Sequence, residues 1–243
     1  MATEGEGRYC LCVIPARGGS KSLPGKNLAR LGGESLVHRA VRAARDSERC
    51  SRIVCSTDSD AIAAEAIGAG ADAPFRRPAQ LATDVSPTID AVIHATGWVE
   101  TERGRPVDLI CILQPTSPLR TAEDLRAAID LLLDSRPPVD SVVSVCEVAD
   151  AHPAWLRKIE GGLLTPYFPD LKEPTRRQDL DSHPAPYRRN GAIYVTRRDV
   201  VMIDRTVYGS RCLPYVMPDE RSIDIDTETD LAVARALWDH LMT

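Results

Sequence analysis

The sequence predicts a doubly wound α/β fold built on a mostly parallel sheet, with one inserted arm, and three observations lead there. Near-continuous apolar runs of strand length alternate with amphipathic helical segments along most of the chain, as they do where crossover helices cover both faces of a sheet. A Gly-rich loop follows the first apolar run directly, rather than following a helix. The 243 residues are 43% hydrophobic and 27% charged, which is enough apolar material for one sizeable core and too much for a disordered polyelectrolyte.

Tyr9 to Ile14 reads as the first strand, closed by Pro15, with the loop Ala16 to Asn27 behind it. From Ser35, the residues Leu36, Val37, Ala40, Val41 and Ala44 share one helical face while Arg39, Arg42 and Arg45 point elsewhere. The strand Arg52 to Ser56 follows, then a helix near Asp60 to Ile67 and a short strand at Ala73 to Phe75. Ser86 as N-cap with Pro87 at the first helical position predicts a helix carrying Ile89, Val92, Ile93 and Thr96 on one face. After the strand Val107 to Leu113, Thr121 and Asp124 form a capping-box start to a helix aligned on Leu125, Ala128, Ile129 and Leu132. Ser141 to Val148 is a further buried strand.

Between about 150 and 189 the rhythm breaks, with Pro153, Pro166, Pro169, Pro174, Pro184 and Pro186 interrupting it, and this segment reads as an inserted arm or lid. The alternation resumes with the strands Ala192 to Val195 and Leu213 to Met217, and ends in a helix bearing Leu231, Ala234, Leu237, Trp238 and Leu241. The organisation expected is a single domain over 9–243, the arm within it, and a flexible tail over 1–8.

A net charge of -5 without any run of five basic residues excludes a general nucleic-acid or membrane-surface binder, so an anionic ligand must meet a local basic patch. No apolar stretch approaches the ~18 residues of a membrane span, and the polar start lacks a signal-peptide core. A cytoplasmic protein is expected. The seven cysteines contain no C-x-x-C pair and read as buried thiols in a reducing compartment, not as a zinc site.

The loop after the first strand is where an open parallel sheet places a phosphate ligand. It runs Pro15-Ala16-Arg17-Gly18-Gly19-Ser20-Lys21-Ser22-Leu23-Pro24-Gly25-Lys26-Asn27, and holds two of the chain's four lysines and one of its two asparagines. Its cations, open backbone N–H groups and hydroxyls suit a polyphosphate, although it is not a Walker loop. Gly68-Ala69-Gly70-Ala71-Asp72-Ala73 matches a dinucleotide fingerprint by letter, but it follows a helix and reads as a C-cap and turn. Near the end stands Ser222-Ile223-Asp224-Ile225-Asp226-Thr227-Glu228-Thr229-Asp230. If extended, Asp224 and Asp226 aim the same way as oxygen ligands for Mg²⁺ bridging substrate phosphates; alternatively the four acids complement a helix N-terminus, with Thr227 and Asp230 as its cap. The loops Arg77 to Asp84 and Gln114 to Arg120 are either structural or ligand-contacting. His38 and His94 read as structural histidines, and no Ser/His/Asp triad is suggested.

Taken in order, Ile-Pro-Ala-Arg-Gly-Gly-Ser-Lys-x-Leu-Pro-Gly-Lys-Asn, Arg-Pro-x-x-Leu-Ala-Thr-Asp, Leu-Gln-Pro-Thr-Ser-Pro-Leu-Arg, Asn-Gly-Ala-Ile-Tyr-Val and Ile-Asp-Ile-Asp-Thr-Glu-Thr-Asp resemble the acylneuraminate cytidylyltransferases from about Cys12 to Trp238. That resemblance implies a Rossmann-like nucleotidyltransferase that transfers CMP from CTP to an acidic sugar and releases pyrophosphate, with Mg²⁺ as cofactor. It implies that Arg17, Ser20, Lys21, Lys26 and Asn27 hold the nucleotide and its phosphates, with Arg17 and Lys21 also catalytic, and that Arg77 and Thr88 lie near the cytidine. Gln114 would face the sugar, Asp224 and Asp226 would act in catalysis as metal ligands, and the arm would reach across a homodimer. Arg176, Arg177 and Gln178 are similar to the family's arm sequence, where they meet the acceptor carboxylate or pair with Asp179 and Asp181. Trp155 stands where these enzymes often carry a lysine, and Asp181 to Pro186 lengthens the following connection. The acceptor is thus sialic acid or a related nonulosonic acid, with a Kdo-like sugar or a phosphonate as alternatives, or the chain is a non-catalytic nucleotide-binding relative.

Overall fold

The computed structural model describes residues 8–148, 152–171, 176 and 185–241. Its six-stranded sheet is assembled from β1 (Cys10–Pro15), β4 (Arg52–Ser56), β5 (Leu109–Ile112), β6 (Ser141–Glu147), β9 (Tyr187–Arg197) and β10 (Cys212–Val216), in the order β10-β6-β9-β5-β1-β4. β1 pairs in parallel with β4 and β5, β6 pairs in parallel with β10, and β9 alone runs against both its neighbours. The doubly wound, mostly parallel α/β architecture is therefore present.

Side-chain alternation along β1 divides the core. Cys10, Cys12 and Ile14 face α1 (Leu36–Asp46), α2 (Asp60–Ala69) and α4 (Ala122–Asp134), whereas Leu11 and Val13 face α3 (Thr88–Arg103) and α5 (Arg198–Met202). Both faces of β1 are buried, which is why its apolar run is continuous rather than alternating. A third cluster joins α6 (Glu228–Leu241) to Leu23, Leu31, Leu36 and Leu119 and thus braces the loop after β1.

Several local signals act as the sequence predicts. Thr121 and Asp124 form a complete capping box on α4, and Gly70 ends α2 in the left-handed conformation at φ 105°. Others do not. Ser86 is not the cap of α3: Pro87 takes that place in an extended conformation, while the Ser86 hydroxyl donates to the Gln80 carbonyl at 2.8 Å and closes the preceding loop. The strand expected at Ala73 to Phe75 is reduced to one bridge between Asp72 and Val54. Arg39 does not point outward: it is buried, donates to the carbonyls of Pro118 and Leu31, and lies 3.8 Å from the centre of the Trp238 ring.

The Pro-rich segment contains structure that its prolines conceal. β7 (Arg157–Glu160) and β8 (Leu163–Pro166) form an antiparallel hairpin outside the main sheet, with Ile159, Leu163 and Leu164 exposed. β2 (Arg30–Leu31) and β3 (Glu34–Ser35) make a second small hairpin before α1. At the base of the arm, Val148 N donates to the Pro186 carbonyl at 2.9 Å, and Glu147 pairs with Tyr187. The excursion therefore leaves the carboxyl end of β6 and returns antiparallel as β9, which places its base at the same edge as the loops after β1 and β5.

Candidate functional site

β4 lies on one side of β1 and β5 on the other, so the chain reverses its winding at β1 and opens a crevice at the carboxyl ends of β1 and β5. Arg17, Lys26, Asn27, Arg77, Thr88 and Gln114 line a cavity of about 240 Å³ there. The half-buried Ser20 and the exposed Lys21 stand outside that lining, on the same loop.

The loop is held by its own polar groups. Asn27 is buried, and its Nδ2 donates to the Arg17 carbonyl at 2.8 Å, folding the loop onto itself. Gly18 N donates to Asp58 Oδ1 at 2.7 Å and ties the loop to the end of β4. Arg17 Nη1 donates to the Thr83 carbonyl at 2.6 Å, its Nη2 lies 3.2 Å from Asp84 Oδ1, and Lys21 Nζ lies 2.6 Å from Asp84 Oδ2. The Lys21 contact, with Arg17 behind it, holds the Asp84 carboxyl below its ordinary range. Arg77 is buried against β4, where its Nε donates to Ser56 Oγ at 3.1 Å and its Nη2 to the Ser56 carbonyl, and burial pulls its guanidinium below the ordinary range.

The acidic run reaches the crevice from the opposite direction. Ile225 N donates to the Thr116 carbonyl at 2.8 Å, which fixes residues 224–226 against the turn after β5. Lys26 Nζ lies 2.8 Å from Asp226 Oδ1, with the Asp226 side chain 67% exposed. Asp224 sits deeper: burial raises its carboxyl above the ordinary range, with Asp226 adding to the effect and Thr116, Lys26 and Arg120 opposing it. Its Oδ1 is buried without a hydrogen-bond partner. The two carboxylates are thus close but unequal. Thr227 and Asp230 cap α6 as predicted, with Asp230 Oδ2 accepting from Thr227 N at 2.7 Å and from Asp226 N at 3.0 Å.

Residues that lie within the quoted motifs, but to which the sequence assigned no role of their own, hold this half together. Asn190 is buried; its Oδ1 accepts from Ser144 Oγ at 2.6 Å, its Nδ2 donates to Ser222 Oγ at 2.9 Å, and its carbonyl accepts from Ser117 Oγ at 3.0 Å. Gly191, at φ 71°, brings bare backbone against the acidic run, and a Cβ there would stand 3.2 Å from Ser117 Oγ and 3.5 Å from both Asp224 Oδ2 and Gln114 Oε1. Arg120 is buried and donates through Nη2 to the Gln114 carbonyl, while its Nε and Nη1 lack partners and burial lowers its guanidinium to about 10. Scarcity was the available signal for Asn190, since the chain has only two asparagines. For Arg120 the signal was its place at the end of the Gln114 to Arg120 loop, which left a structural and a ligand-contacting role open.

Among the described residues, no group of three or more His, Cys, Asp or Glu side chains could hold a metal ion. Two neighbouring carboxylates, one with an unpartnered oxygen, fit instead a hard cation that keeps waters and takes further oxygens from a substrate phosphate. Arg176 is exposed, and Arg177 and Gln178 lie outside the described residues. His38 lies beside Glu34, and His94 packs edge-on to Phe75, 4.7 Å between ring centres; neither lines the crevice.

Fold and crevice together define a nucleotidyltransferase. The fold is similar to that of CMP:2-keto-3-deoxy-manno-octonic acid synthetase complexed with CTP, with TM-score 0.68, 19% identity, and 96% of this chain and 99% of that one covered. It is also similar to 4-diphosphocytidyl-2C-methyl-D-erythritol synthase, with TM-score 0.64, 13% identity, and 96% and 99% covered. At those identities the likeness concerns the fold. Residues 11–239 match the family described as Cytidylyltransferase. The chain is 36% identical to CMP-N,N'-diacetyllegionaminic acid synthase of Legionella pneumophila over 94% of its own length and 96% of that protein. It is 32% identical to N-acylneuraminate cytidylyltransferase of Streptococcus agalactiae over 90% of its length, but spans only 51% of that protein. The chain belongs to the cytidylyltransferase family.

Proposed function

We propose that the chain transfers CMP from CTP to the hydroxyl of a nonulosonic acid of the sialic or legionaminic type, with release of pyrophosphate. The observation that carries this reading is the cavity lined by Arg17, Lys26, Asn27 and Arg77 beside Asp224, whose Oδ1 has no partner. It combines cations for a triphosphate with a free carboxylate oxygen at the point where the two arms of the site meet.

In this reading Arg17, Lys21 and Lys26 neutralise the phosphates, Ser20 and Asn27 position them through hydroxyl and backbone groups, and Arg77 and Thr88 lie beside the cytidine. The acceptor hydroxyl attacks the α-phosphorus, the bond to the β-phosphate oxygen breaks, and pyrophosphate leaves. In-line positioning and charge neutralisation supply most of the rate. Gln114 orients the acceptor at the far end of the crevice, and Arg176, Arg177 and Gln178 belong to the same acceptor side. Asp224 and Asp226 would hold Mg²⁺, which when bound withdraws charge from the α-phosphate and the leaving pyrophosphate. For binding, Lys26 must release Asp226 or share it, and a triphosphate entering beside it provides the alternative partner.

The exposed apolar residues Ile159, Leu163 and Leu164 on the β7–β8 hairpin support an arm that packs against a second copy in a homodimer within a single-domain protomer. Sedimentation of the Leu163→Asp variant checks this, and a dimer unchanged by the substitution argues against it. A cytoplasmic enzyme is consistent with seven unpaired cysteines; among the described residues no helix is long and apolar enough to cross a membrane. The deciding experiment is pyrophosphate release from CTP and Mg²⁺ with sialic, legionaminic and pseudaminic acids, Kdo and a set of phosphonates. Release with a nonulosonic acid is expected. Release only with Kdo or a phosphonate overturns the acceptor, and tight CTP binding with no release across the panel overturns the transfer reaction.

A further inference from the structure

Beyond the turn after β5 lies a second cavity, of about 510 Å³, which shares no lining residue with the crevice. α1 contributes Arg39 and Arg42 to its wall, the end of the turn contributes Arg120, Arg221 enters from the segment before the acidic run, and Trp238 of α6 closes it. α4 begins in the same wall at Thr121 and Ala122, so its N-terminal backbone N–H groups add to the guanidinium donors.

The wall stays positive after its ion pairs are counted. Arg39 and Arg42 share Glu34, at 3.5 and 2.5 Å, and Arg221 Nη2 lies 2.7 Å from Asp124 Oδ1. Asp46, the acid in the wall, is balanced by Arg45 at 2.9 Å, and Glu123 in the first turn of α4 pairs with Arg126. Four guanidiniums therefore meet two carboxylates. Arg120 is the one left over: it is 5% exposed, its Nη2 donates to the Gln114 carbonyl, and its Nε and Nη1 have no partner. Asp124 does not serve it, because Oδ1 accepts from Arg221 and Tyr215 and Oδ2 from Thr121. Arg221 Nε is likewise buried without a partner. A buried charge that no carboxylate meets is costly, and packing gives no reason to gather three more arginines around it.

We propose that this cavity binds a phosphoryl group, carried by inorganic phosphate or by a small phosphate ester. Guanidinium forks converging from α1, the turn and the segment at Arg221 supply the paired N–H donors that a tetrahedral oxyanion accepts. The two positive charges in excess match the charge of a phosphoryl group near neutral pH. Seated there, the group stands in for the carboxylate that Arg120 lacks. The cavity is larger than a phosphate, and Leu119, Trp238 and Leu241 give it an apolar side for the body of an ester. Arg120 also links the two cavities, since the Gln114 that it holds by the carbonyl lines the crevice.

Amide hydrogen exchange of the full chain, without nucleotide, is followed with inorganic phosphate and separately with glucose 6-phosphate, at an ionic strength held constant with chloride. Protection of residues 119–123 is expected. Protection by both ligands means that the phosphoryl group suffices, and protection by the ester alone means that its body is needed as well. Protection confined to residues 17–27, or none with either ligand, overturns the proposal. Calorimetric titration with the ligand that protects supplies the second arm: binding is expected to weaken at least about tenfold in Arg42→Gln and in Arg221→Gln, each of which removes one fork, and to persist in Lys26→Ala, which alters the crevice. The reverse pattern assigns the anion to the crevice and overturns the proposal. The wild-type exchange map decides the matter if a variant fails to fold. No turnover is measured, so the result stands independently of the proposed CMP transfer.

Discussion

Lys21 Nζ lies 2.6 Å from Asp84 Oδ2, with Arg17 Nη2 3.2 Å from the other oxygen of the same carboxylate. In the proposed site Asp84 thus occupies two of the cations assigned to the triphosphate, Arg17 and Lys21. A phosphate entering there exchanges one anion for another instead of filling an empty basic patch.

Asp84→Asn should therefore tighten CTP binding, by roughly two- to fivefold, since an exposed ion pair is a weak competitor that salt already screens. Titration calorimetry at low and high ionic strength checks this. Weaker binding in the variant would mean that Asp84 orders the loop more than it competes with the ligand.

Asp224→Asn should stabilise the ligand-free protein at neutral pH while largely abolishing turnover, with CTP still bound. The folded-state carboxyl is raised by burial, so the folded protein binds the Asp224 proton more readily than the unfolded chain does. Stability from this group is present at low pH and is lost as pH rises through the interval between the unfolded and folded values. The melting-temperature gain of the variant should accordingly appear above that interval and vanish below it. A variant with near-normal turnover in Mg²⁺ would remove Asp224 from the metal site.

Gly191→Ala places a Cβ in backbone at φ 71° and 3.2 Å from Ser117 Oγ. The conformation alone costs about 1–2 kcal/mol, readable as a shift in the urea midpoint. Because the same Cβ presses on Ser117 Oγ in the corner that Asp224 and Gln114 share, kcat and the acceptor KM should suffer more than the Kd for CTP. Equal losses in all three would indicate general loosening instead.

Asn190→Ala leaves Ser144 Oγ and Ser222 Oγ without their amide partner inside the fold. Destabilisation of about 2–4 kcal/mol, measured by chemical denaturation, is expected, since the contacts of the amide with Ala192 N and Met217 Sδ are lost along with those to the two hydroxyls. Restoring the amide in Asn190→Gln should not rescue it, since the longer side chain cannot meet both hydroxyls in a closed pocket.

The sequence by itself determined what depends on neighbours along the chain. The alternation of strands and helices, the capping boxes at Thr121 and Thr227, the turn at Gly70 and the loop from Arg17 to Asn27 all follow from spacing within one turn or one strand. The structure keeps each of them. The tertiary structure decided what depends on distant partners. Lys26 and Asp226 are separated by 200 positions, and Asn190 and Ser144 by 46, so no local pattern announces that they meet. Burial decided the rest. Asp224 and Asp226 are alike in sequence, yet one is desolvated beside β9 and the other is held in solvent by Lys26. Arg39 carries the same side chain as Arg45 on the same helix, but Trp238 covers the first, while the second lies along the surface beside Asp46. Charge and shape are properties of a residue, whereas desolvation is a property of what folds over it, and only the folded chain supplies that.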